Sequence, residues 1–597
     1  MKKRYAKFII FALVLLASAA LVYTEPVPFK THKVTVPLRF DYYYTYEMVV
    51  EALEKLHKAY PQLTELEIVG KSEEGRAIYC MTVNNPKTGK ELDKPGIWVD
   101  GNIHGNEIQA GEVCLYLLDY LLGNYGVNKK ITELVDKKCF YVVPVINTDG
   151  RYHFMTDGNN MHDNRSLRRP HDDDEDGLLD EDFPDDLDGD GNICMMRKKD
   201  PHGHWKTDPE DPRLMIRVKP GEKGEWNRIG AEGIDNDGDG RINEDAQGYV
   251  DPNRNWGYDW MPHYVQHGAG DYPFSGVGLK ALGKYILART NITMGWTFHN
   301  FGGLFVRGPS RKAWGSYAPE DEAVFDYLGD QGERIIPGYK HIISWKDMSE
   351  TYGDEDGWMF MSIGAYCFTG ELFMRSQESF KSIKEQKAAK PVGEGGMDFF
   401  SSNDSFERER LKFNDHLTQG ELFVSWKPYK HPTYGDIEIG GWAKMSTRMP
   451  HPFMLKDMCH RNAAAIIFSA KQTPEVKLEV FGIKKVGQNL YRLRTRLKNS
   501  KAIPSMSNHA RKVKLYPKDM LTVSGKGVKV KAGGRLNDRY RDQVTYKEYR
   551  PGIQFLFVPG FGKVEHQFLF SAQPGVSVTI KYNSRHAGKI RKTIKLK

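Results

Sequence analysis

The feature that most constrains the fold is an interruption between two apolar segments. The run Ile97 to Val99 reads as a buried strand. Gly101, Asn102, Gly105 and Asn106 break it, and the apolar-periodic segment Ile108 to Leu122 reads as a helix. His104 and Glu107 therefore stand at a strand-to-helix junction, where an imidazole and a carboxylate three residues apart can meet one cation. A catalytic zinc site needs three protein ligands and one open position, so this pair supplies two-thirds of one. A capped helix start with a solvated Glu gives the same spacing, so the rest of the chain has to decide.

The surrounding sequence keeps the same rhythm. Tyr46 to Tyr60 carries apolar residues at helical spacing, and Leu66 to Val69, Ala77 to Val83 and Cys139 to Ile146 read as strands. Strands alternating with helices imply an α/β domain with a parallel or mixed sheet. From about Asp149 to Gly248 the rhythm stops. Asp172 to Asp190 holds twelve acidic residues and no Lys or Arg. Three loops recur there: Asp172-x-Asp174-x-Asp176-Gly177, Asp186-x-Asp188-x-Asp190-Gly191 and Asp235-x-Asp237-x-Asp239-Gly240. Oxygen ligands at positions 1, 3 and 5 with Gly at 6 match the opening of a calcium loop. Position 12 departs from it, with Phe183, Arg197 and Ala246 in place of Glu; Asp180, Asp182, Glu244 and Asp245 can substitute. The expectation is structural calcium, against the alternative of a disordered acidic loop.

Regular structure resumes at Tyr249, with buried strands expected over Ile292 to Phe298 and Tyr366 to Thr369, and a polar surface helix or loop over Lys381 to Lys390. After Thr473-Pro474 the pattern becomes short alternating segments between Gly and Pro turns, which is a small β-sandwich. Composition changes with it. The chain of 597 residues has a formal charge of +7, but residues 475–597 hold 28 Lys and Arg against seven Asp and Glu, so +21, leaving −14 for the rest. An acidic body with a basic tail domain suggests contact with anionic cell-surface material, or else a solvated basic face; nucleic acid is not expected as a partner.

The N-terminus joins a basic start, Met1 to Lys7, to the apolar run Phe8 to Val22 and the small residues Ala17 to Ala20. This reads as a signal peptide over 1–24, with an uncleaved N-terminal anchor as the alternative, and a leader over 25–37 too short to be an inhibitory pro-domain. A secreted or periplasmic protein is expected. The six cysteines form no close-spaced motif; Cys114, Cys139 and Cys367 lie in apolar runs as small core residues.

Further along lie Asp251-Pro252-Asn253-Arg254-Asn255, then His299 at a strand end, Thr351-Tyr352, and Phe368-Thr369-Gly370-Glu371-Leu372. Strand ends on one sheet edge are where α/β enzymes build sites. With these motifs, with Thr45 to Met48, with Gly70-Lys71-Ser72-x-Glu74-Gly75-Arg76 and with Asn147-Thr148-Asp149-Gly150, the chain from about Tyr42 to Ala470 resembles the zinc carboxypeptidases of the carboxypeptidase A type. The resemblance implies a mixed β-sheet flanked by helices over residues 38–470, with the acidic insert at about 150–248 and the β-sandwich at 475–597. It implies one catalytic Zn2+ on His104, Glu107 and His299, with Asp251 accepting from a zinc histidine. Glu371 is then the general base toward the zinc-bound water, and Arg168, with Arg169 as runner-up, the oxyanion arginine. Asn253 and Arg254 grip the terminal carboxylate and Tyr352 closes over it. Asp356 lies at the base of the side-chain pocket and favours C-terminal Lys or Arg, with Asp354 and Glu355 adding attraction.

The expected activity is removal of C-terminal residues from peptides or proteins. A peptidoglycan-peptide or γ-glutamyl hydrolase uses the same chemistry. A non-catalytic calcium- and surface-binding protein is the reading from another class, and the simultaneous presence of Glu371 and all three ligands argues against it.

Overall fold

The computed structural model describes residues 33–158, 160, 164–173, 175–245, 248–374, 380, 382, 384, 404–446 and 448–597. The expected signal peptide, most of the leader, Asp174 and most of the 381–390 stretch lie outside the described residues. No helix among the described residues is long and apolar enough to cross a membrane.

The body opens with helix α1 (Tyr46–Ala59), whose N-terminus is capped by Thr45 Oγ1 accepting from the Met48 N–H at 3.3 Å. Val49, Leu53 and Leu56 recur at helical spacing and are buried. Strands β1 (Thr64–Lys71), β2 (Ala77–Val83) and β3 (Gly96–Gly101) follow, then helices α2 (Gln109–Asn124) and α3 (Lys129–Lys137), strand β4 (Cys139–Val143) and helix α4 (Thr148–Thr156). In the expected acidic insert the chain builds short strands β5 (Met195–Lys199), β6 (Trp205–Thr207), β7 (Met215–Arg217) and β8 (Trp226–Ala231). Helix α5 (Val277–Ala288), strands β9 (Ile292–Asn300) and β10 (Leu304–Arg307), helix α6 (Pro319–Ile335), strand β11 (Lys340–Ile343), helix α7 (Glu355–Ile363) and strand β12 (Tyr366–Leu372) return to the first sheet.

That sheet has eight strands in the order β1-β2-β4-β3-β9-β12-β10-β11. Its centre is parallel, β4 with β3, β3 with β9 and β9 with β12, while β2 joins β4 and β10 joins β12 antiparallel, and β10 pairs with β11 in parallel. All nine residues of β9 are buried, as a central strand covered on both faces requires. Two apolar clusters cover the faces, one including α1 and α2 and the other including Trp98, Tyr141, Trp256 and Trp358.

Residues 149–248 differ from the expectation of an interrupted stretch. Helix α4 occupies the first part, and β5 to β8 join strands β13 (Phe423–His431) and β14 (Gly435–Trp442), after helix α8 (Asp404–Leu417), in a six-stranded sheet of order β13-β14-β5-β8-β6-β7. Cys194, Met196, Ile437 and Ile439 form its core. Only two residues of Met195 to Lys199 are buried, so the apolar signal was too short to announce a strand, and its partner lies more than two hundred residues later.

Helix α9 (Pro452–Lys471) packs on α2 and leads to the C-terminal domain. There β15 (Val476–Gly487), β16 (Leu490–Asn499), β17 (Asp519–Ser524), β18 (Lys529–Asp538), β19 (Gln543–Tyr546), β20 (Ile553–Leu556), β21 (Lys563–Ser571), β22 (Ser577–Ser584) and β23 (Gly588–Lys595) form sheets of five and four strands. Leu493, Leu521, Phe568 and Ile580 are among the side chains buried in this domain's core. A short helix, α10 (Asn508–Lys512), reaches from this domain to the body. Its Asn508 and His509 N–H groups donate to the two oxygens of buried Asp321 at 2.8 Å each, and the Tyr366 hydroxyl donates to the same carboxylate at 2.7 Å.

Three donors therefore depend on one buried carboxylate. Removing it leaves them unpaired away from water, at about 1–3 kcal/mol for each group that cannot relax. Asp321→Ala is expected to cost about 3–5 kcal/mol in chemical denaturation and to expose the Thr473–Glu475 connection to proteolysis. An unchanged denaturation midpoint would show that the contact is incidental.

Candidate active site

The site is set by the turn after β3. Asn102 adopts φ +56°, and its amide donates to the carbonyls of His104 and Gly105 at 2.6 and 3.2 Å. Its Oδ1 accepts from buried Arg151 at 2.9 Å. A Cβ on Gly105 would fall 2.5 Å from the backbone of Gly150, so only glycine lets the turn pack against the start of α4. The turn carries His104 and Glu107 inward beside the end of β9. His299 lies there, in register with Glu371 on β12.

Three ligand atoms converge. His104 Nδ1 lies 3.0 Å from Glu107 Oε1, His299 Nδ1 lies 3.0 Å from Glu107 Oε2, and the two nitrogens are 3.2 Å apart. Ligands around a tetrahedral zinc at about 2.0–2.1 Å stand roughly 3.3 Å from one another. Glu107 Oε2 makes no hydrogen bond of acceptable angle despite its neighbour. That is the arrangement of side chains aimed at a shared ion rather than at each other. Burial pushes the Glu107 carboxyl up, but His104 and His299 outweigh it and hold the group well below its usual range. The donor set thus fits a zinc ion.

Asp251 supports the centre from behind. Its Oδ1 lies 3.1 Å from His104 Nε2 and accepts from the Asn253 N–H at 2.7 Å, while Oδ2 accepts from Arg165 Nε at 2.7 Å. Burial opposes ionisation of Asp251, yet Arg165, His104 and Arg254 hold it well below the usual carboxylate range. A fixed carboxylate on the remote nitrogen sets the tautomer that leaves Nδ1 free to ligate.

A cavity of about 310 Å³ opens over these groups and is lined also by Asn253, Arg254, Asp356, Glu371, Arg165 and Arg448. Burial pushes the Glu371 carboxyl up to about 7; Glu107 adds to this, and His299, Arg165 and Arg448 oppose it. Asp356 is buried, and its Oδ2 has no hydrogen-bond partner. Burial and neighbouring Asp354 raise its carboxyl well above the usual range.

Four of the expected residues do not line the cavity. Arg165, not Arg168, reaches the cavity; Arg168 lies half-buried near Glu74, Asp157, Asp149 and Asp180. Arg169 also points elsewhere, pairing with Asp271 at 2.7 Å. Tyr352 stands beside the cavity wall, its ring 4.7 Å from the Arg311 guanidinium, and Thr351 lines the wall instead. Glu355 turns away from the cavity and interacts with Asp100 in the interior, where burial and that second carboxyl raise it well above its usual range. Arg448 was missed because nothing in its local sequence marks it.

The acidic loops share a turn, with a different pair of donors in the third. The first Asp of each accepts two backbone N–H bonds: Asp172 from Asp176 and Gly177, Asp186 from Asp190 and Gly191, Asp235 from Gly238 and Gly240. Their carboxylates group as Asp235 with Asp237 and Asp239, Asp186 with Asp188 and Glu232, Asp176 with Glu181 and Asp237, and Asp182 with Asp237 and Glu244.

Comparison with known proteins gives a family match over part of the chain. Residues 49–208 match the zinc carboxypeptidase family model. The chain carries a zinc carboxypeptidase domain. The matched family implies Zn2+, and the matched residues include His104 and Glu107, whereas His299 and Glu371 lie beyond them. The chain is 32% identical over 125 residues to carboxypeptidase D of Anas platyrhynchos, covering 21% of this chain and 9% of that one. It is 32% identical over 117 residues to human carboxypeptidase B, covering 20% and 27%. An inactive metallocarboxypeptidase of Saccharomyces cerevisiae is 33% identical over 112 residues, covering 19% and 26%. The matched stretch thus spans less than a third of each relative. Among solved structures, thrombin activatable fibrinolysis inhibitor aligns at a TM-score of 0.42 with 16% identity, covering 72% of this chain and 74% of that one. Carboxypeptidase A of Helicoverpa armigera aligns at 0.38 with 18% identity, covering 62% and 71%. Residues 475–595 match a family described only as a domain of unknown function.

Asp251→Asn keeps the shape of the group behind His104 but removes its charge. Zinc affinity, measured by competition with a chelator, is expected to fall about 10- to 100-fold; parental affinity would remove Asp251 from the support of the metal centre.

Proposed function

We propose that the protein is an exported zinc-dependent carboxypeptidase that hydrolyses the C-terminal peptide bond of peptides or proteins. One observation carries this reading: a single cavity holds His104, Glu107 and His299 together with Glu371, Asn253 and Arg254. Glu371 beside the ligand triad supports catalysis over a purely binding role. The apolar run Phe8 to Val22, outside the described residues, supports export.

When bound, zinc makes water more acidic and polarises the carbonyl of the scissile bond. The chain supplies the rest. Arg254 pairs with the terminal carboxylate, assisted by Asn253, and so places the last peptide bond in the cavity. Glu371 accepts the proton of the attacking water and returns it to the departing amine. The Arg165 guanidinium, held by Asp251, donates to the carbonyl oxygen as charge builds there. Peptides with a free C-terminal carboxylate are expected to be cleaved and amidated ones to be poor substrates. Arg254→Ala should lower kcat/KM on free-carboxylate peptides about 10- to 100-fold, and Glu371→Gln should lower kcat about 10²- to 10⁴-fold while zinc stays bound. Equal cleavage of amidated and free peptides by the parent would refute the clamp.

We infer a preference for C-terminal Lys or Arg. The unpartnered Asp356 oxygen on the cavity wall suits a cationic end and leaves an apolar end facing a buried polar atom. Matched peptides ending in Arg and in Leu are expected to differ at least tenfold in kcat/KM, about the 1.4 kcal/mol a retained polar pair is worth, and Asp356→Ile should erase the difference. A parent that prefers Leu would overturn this inference.

We also propose that the acidic loops hold structural calcium, supported by their shared turn and by acidic neighbours that complete each cluster. Burial pushes Glu232 up to about 7. Its folded pKa exceeds its unfolded value of about 4.3, so its contribution is fully present below that value and is lost as pH rises through about 7. At pH 8 a calcium-selective chelator should lower the Tm and expose the 172–245 stretch to protease while zinc is retained. Identical melting and proteolysis with and without calcium would count against the proposal. The surplus charge of the C-terminal domain supports contact with anionic cell-surface material.

A further inference from the structure

The second sheet delivers a residue into the active-site cavity. Beyond β14 lies Arg448, whose side chain lines the same cavity as Glu371. The segment is fastened on both sides. Lys444 Nζ donates to the Asp157 carbonyl at 2.8 Å, and Arg410 on α8 donates to the Ser446 carbonyl at 2.8 Å. Met449 is buried against Ile108 and Phe154, and the Pro450 carbonyl accepts from the Tyr43 hydroxyl at 2.7 Å. Ile108 directly follows the ligand Glu107, so the anchor and the metal centre share one turn. At Arg448 itself, the carbonyl accepts from Asn300 Nδ2 at 3.1 Å and Nη1 donates to the Asn300 carbonyl at 3.4 Å. Asn300 is the neighbour of His299.

The guanidinium is therefore held at the centre rather than left to wander. Arg448 Nη1 lies 3.6 Å from Glu107 Oε1, and Arg165 Nη1 lies 4.0 Å from the same oxygen. Two cations thus approach one ligand oxygen. At these distances neither guanidinium makes a close hydrogen bond to Glu107.

We propose that Arg448 is a second catalytic arginine, which donates with Arg165 to the carbonyl oxygen of the scissile bond. This rests on the hydrolytic reading above. In the step concerned, the water oxygen bonds to the carbonyl carbon, the C=O π pair moves onto the oxygen, and the water proton passes to the Glu371 carboxylate. The C–N bond then breaks as its electron pair leaves with nitrogen, which takes that proton. Charge on the carbonyl oxygen is greatest between these events, and a guanidinium fixed beforehand stabilises it without reorganising. The site is thereby composite: the family-matched segment brings two metal ligands, and a sheet built largely from the insert brings an arginine.

The test uses the full-length zinc-loaded protein and the variants Arg448→Ala and Arg448→Lys, each checked for zinc content and melting. On a free-carboxylate peptide, Arg448→Ala is expected to lose about 10²- to 10³-fold in kcat with KM within about threefold of the parent, the size of a lost oxyanion donor. Arg448→Lys should recover part of the loss. A second readout needs no turnover: inorganic phosphate, a tetrahedral anion, should bind the zinc-loaded Arg448→Ala protein at least tenfold more weakly than the parent. Unchanged kcat, or a loss confined to KM, overturns the proposal. So does an activity loss repaired by excess zinc, which assigns Arg448 to metal retention. A parent that cleaves no peptide, while the phosphate difference holds, defeats the carboxypeptidase reading and leaves Arg448 as the anion donor of the centre.

Discussion

Glu107 is the constraint on which the site depends. Its carboxylate is enclosed at the end of β3 between two imidazoles, one from its own turn and one from β9. A buried carboxylate without charge compensation would shift its pKa and neutralise. Here the surroundings do the reverse and keep it ionised. The same requirement propagates outward. Asp251 must be ionised to fix His104, so Arg165 and Arg254 lie close to it. Those arginines are then already at the cavity, available to an anionic substrate. Metal binding and substrate recognition thus draw on one chain of alternating charges.

That chain was legible in the sequence where it rests on strand ends. His104, Glu107, His299 and Glu371 each follow or end an apolar run, and strands buried on both faces advertise themselves as such runs. The acid pattern of the insert was legible as a pattern, but its sheet was not. Met195 to Lys199 shows two buried residues, and Trp205 to Thr207 none fully buried. Such strands are specified by partners far along the chain rather than by their own periodicity. The arginines failed for a related reason. Arg165 and Arg168 are three residues apart in a stretch without helix or strand, so spacing gives no direction. Only the antiparallel bridge of Leu167 to Val250 fixes which side each one takes. Arg448 depends on anchors from α4, α8 and the loop near Tyr43, none of which is visible from residues 443–450 alone.

The start of α7 shows how three like residues acquire three roles. Asp354, Glu355 and Asp356 read as one acidic patch, but a helix turns about 100° per residue. Asp354 becomes the N-cap, accepting from the Gly357 N–H at 3.0 Å and from the Thr351 hydroxyl at 2.9 Å. Asp356 turns to the cavity wall. Glu355 turns inward beneath it, where Asp100 waits at the end of β3.

This inward pair bears on the active site through geometry. The Glu355 N–H donates to Asn253 Oδ1 at 2.9 Å, so the residue that anchors Glu355 in the interior also orients the amide proposed to grip the substrate. Two buried carboxyls in contact cannot both ionise cheaply. Burial lifts Asp100 to about 6, and burial together with Asp100 raises Glu355 well above its usual range. Because both folded values are raised, this contribution to stability is complete below about pH 4 and declines as pH rises through about 6 and above. The helix nevertheless starts here because Trp98 Nε1 donates to Asp100 at 2.5 Å and the Thr297 hydroxyl donates to Glu355 at 3.4 Å. Those donors come from β3 and β9, the strands that also present His104 and His299. The two layers of the site, metal ligands above and paired carboxyls below, are therefore held by the same pair of strands.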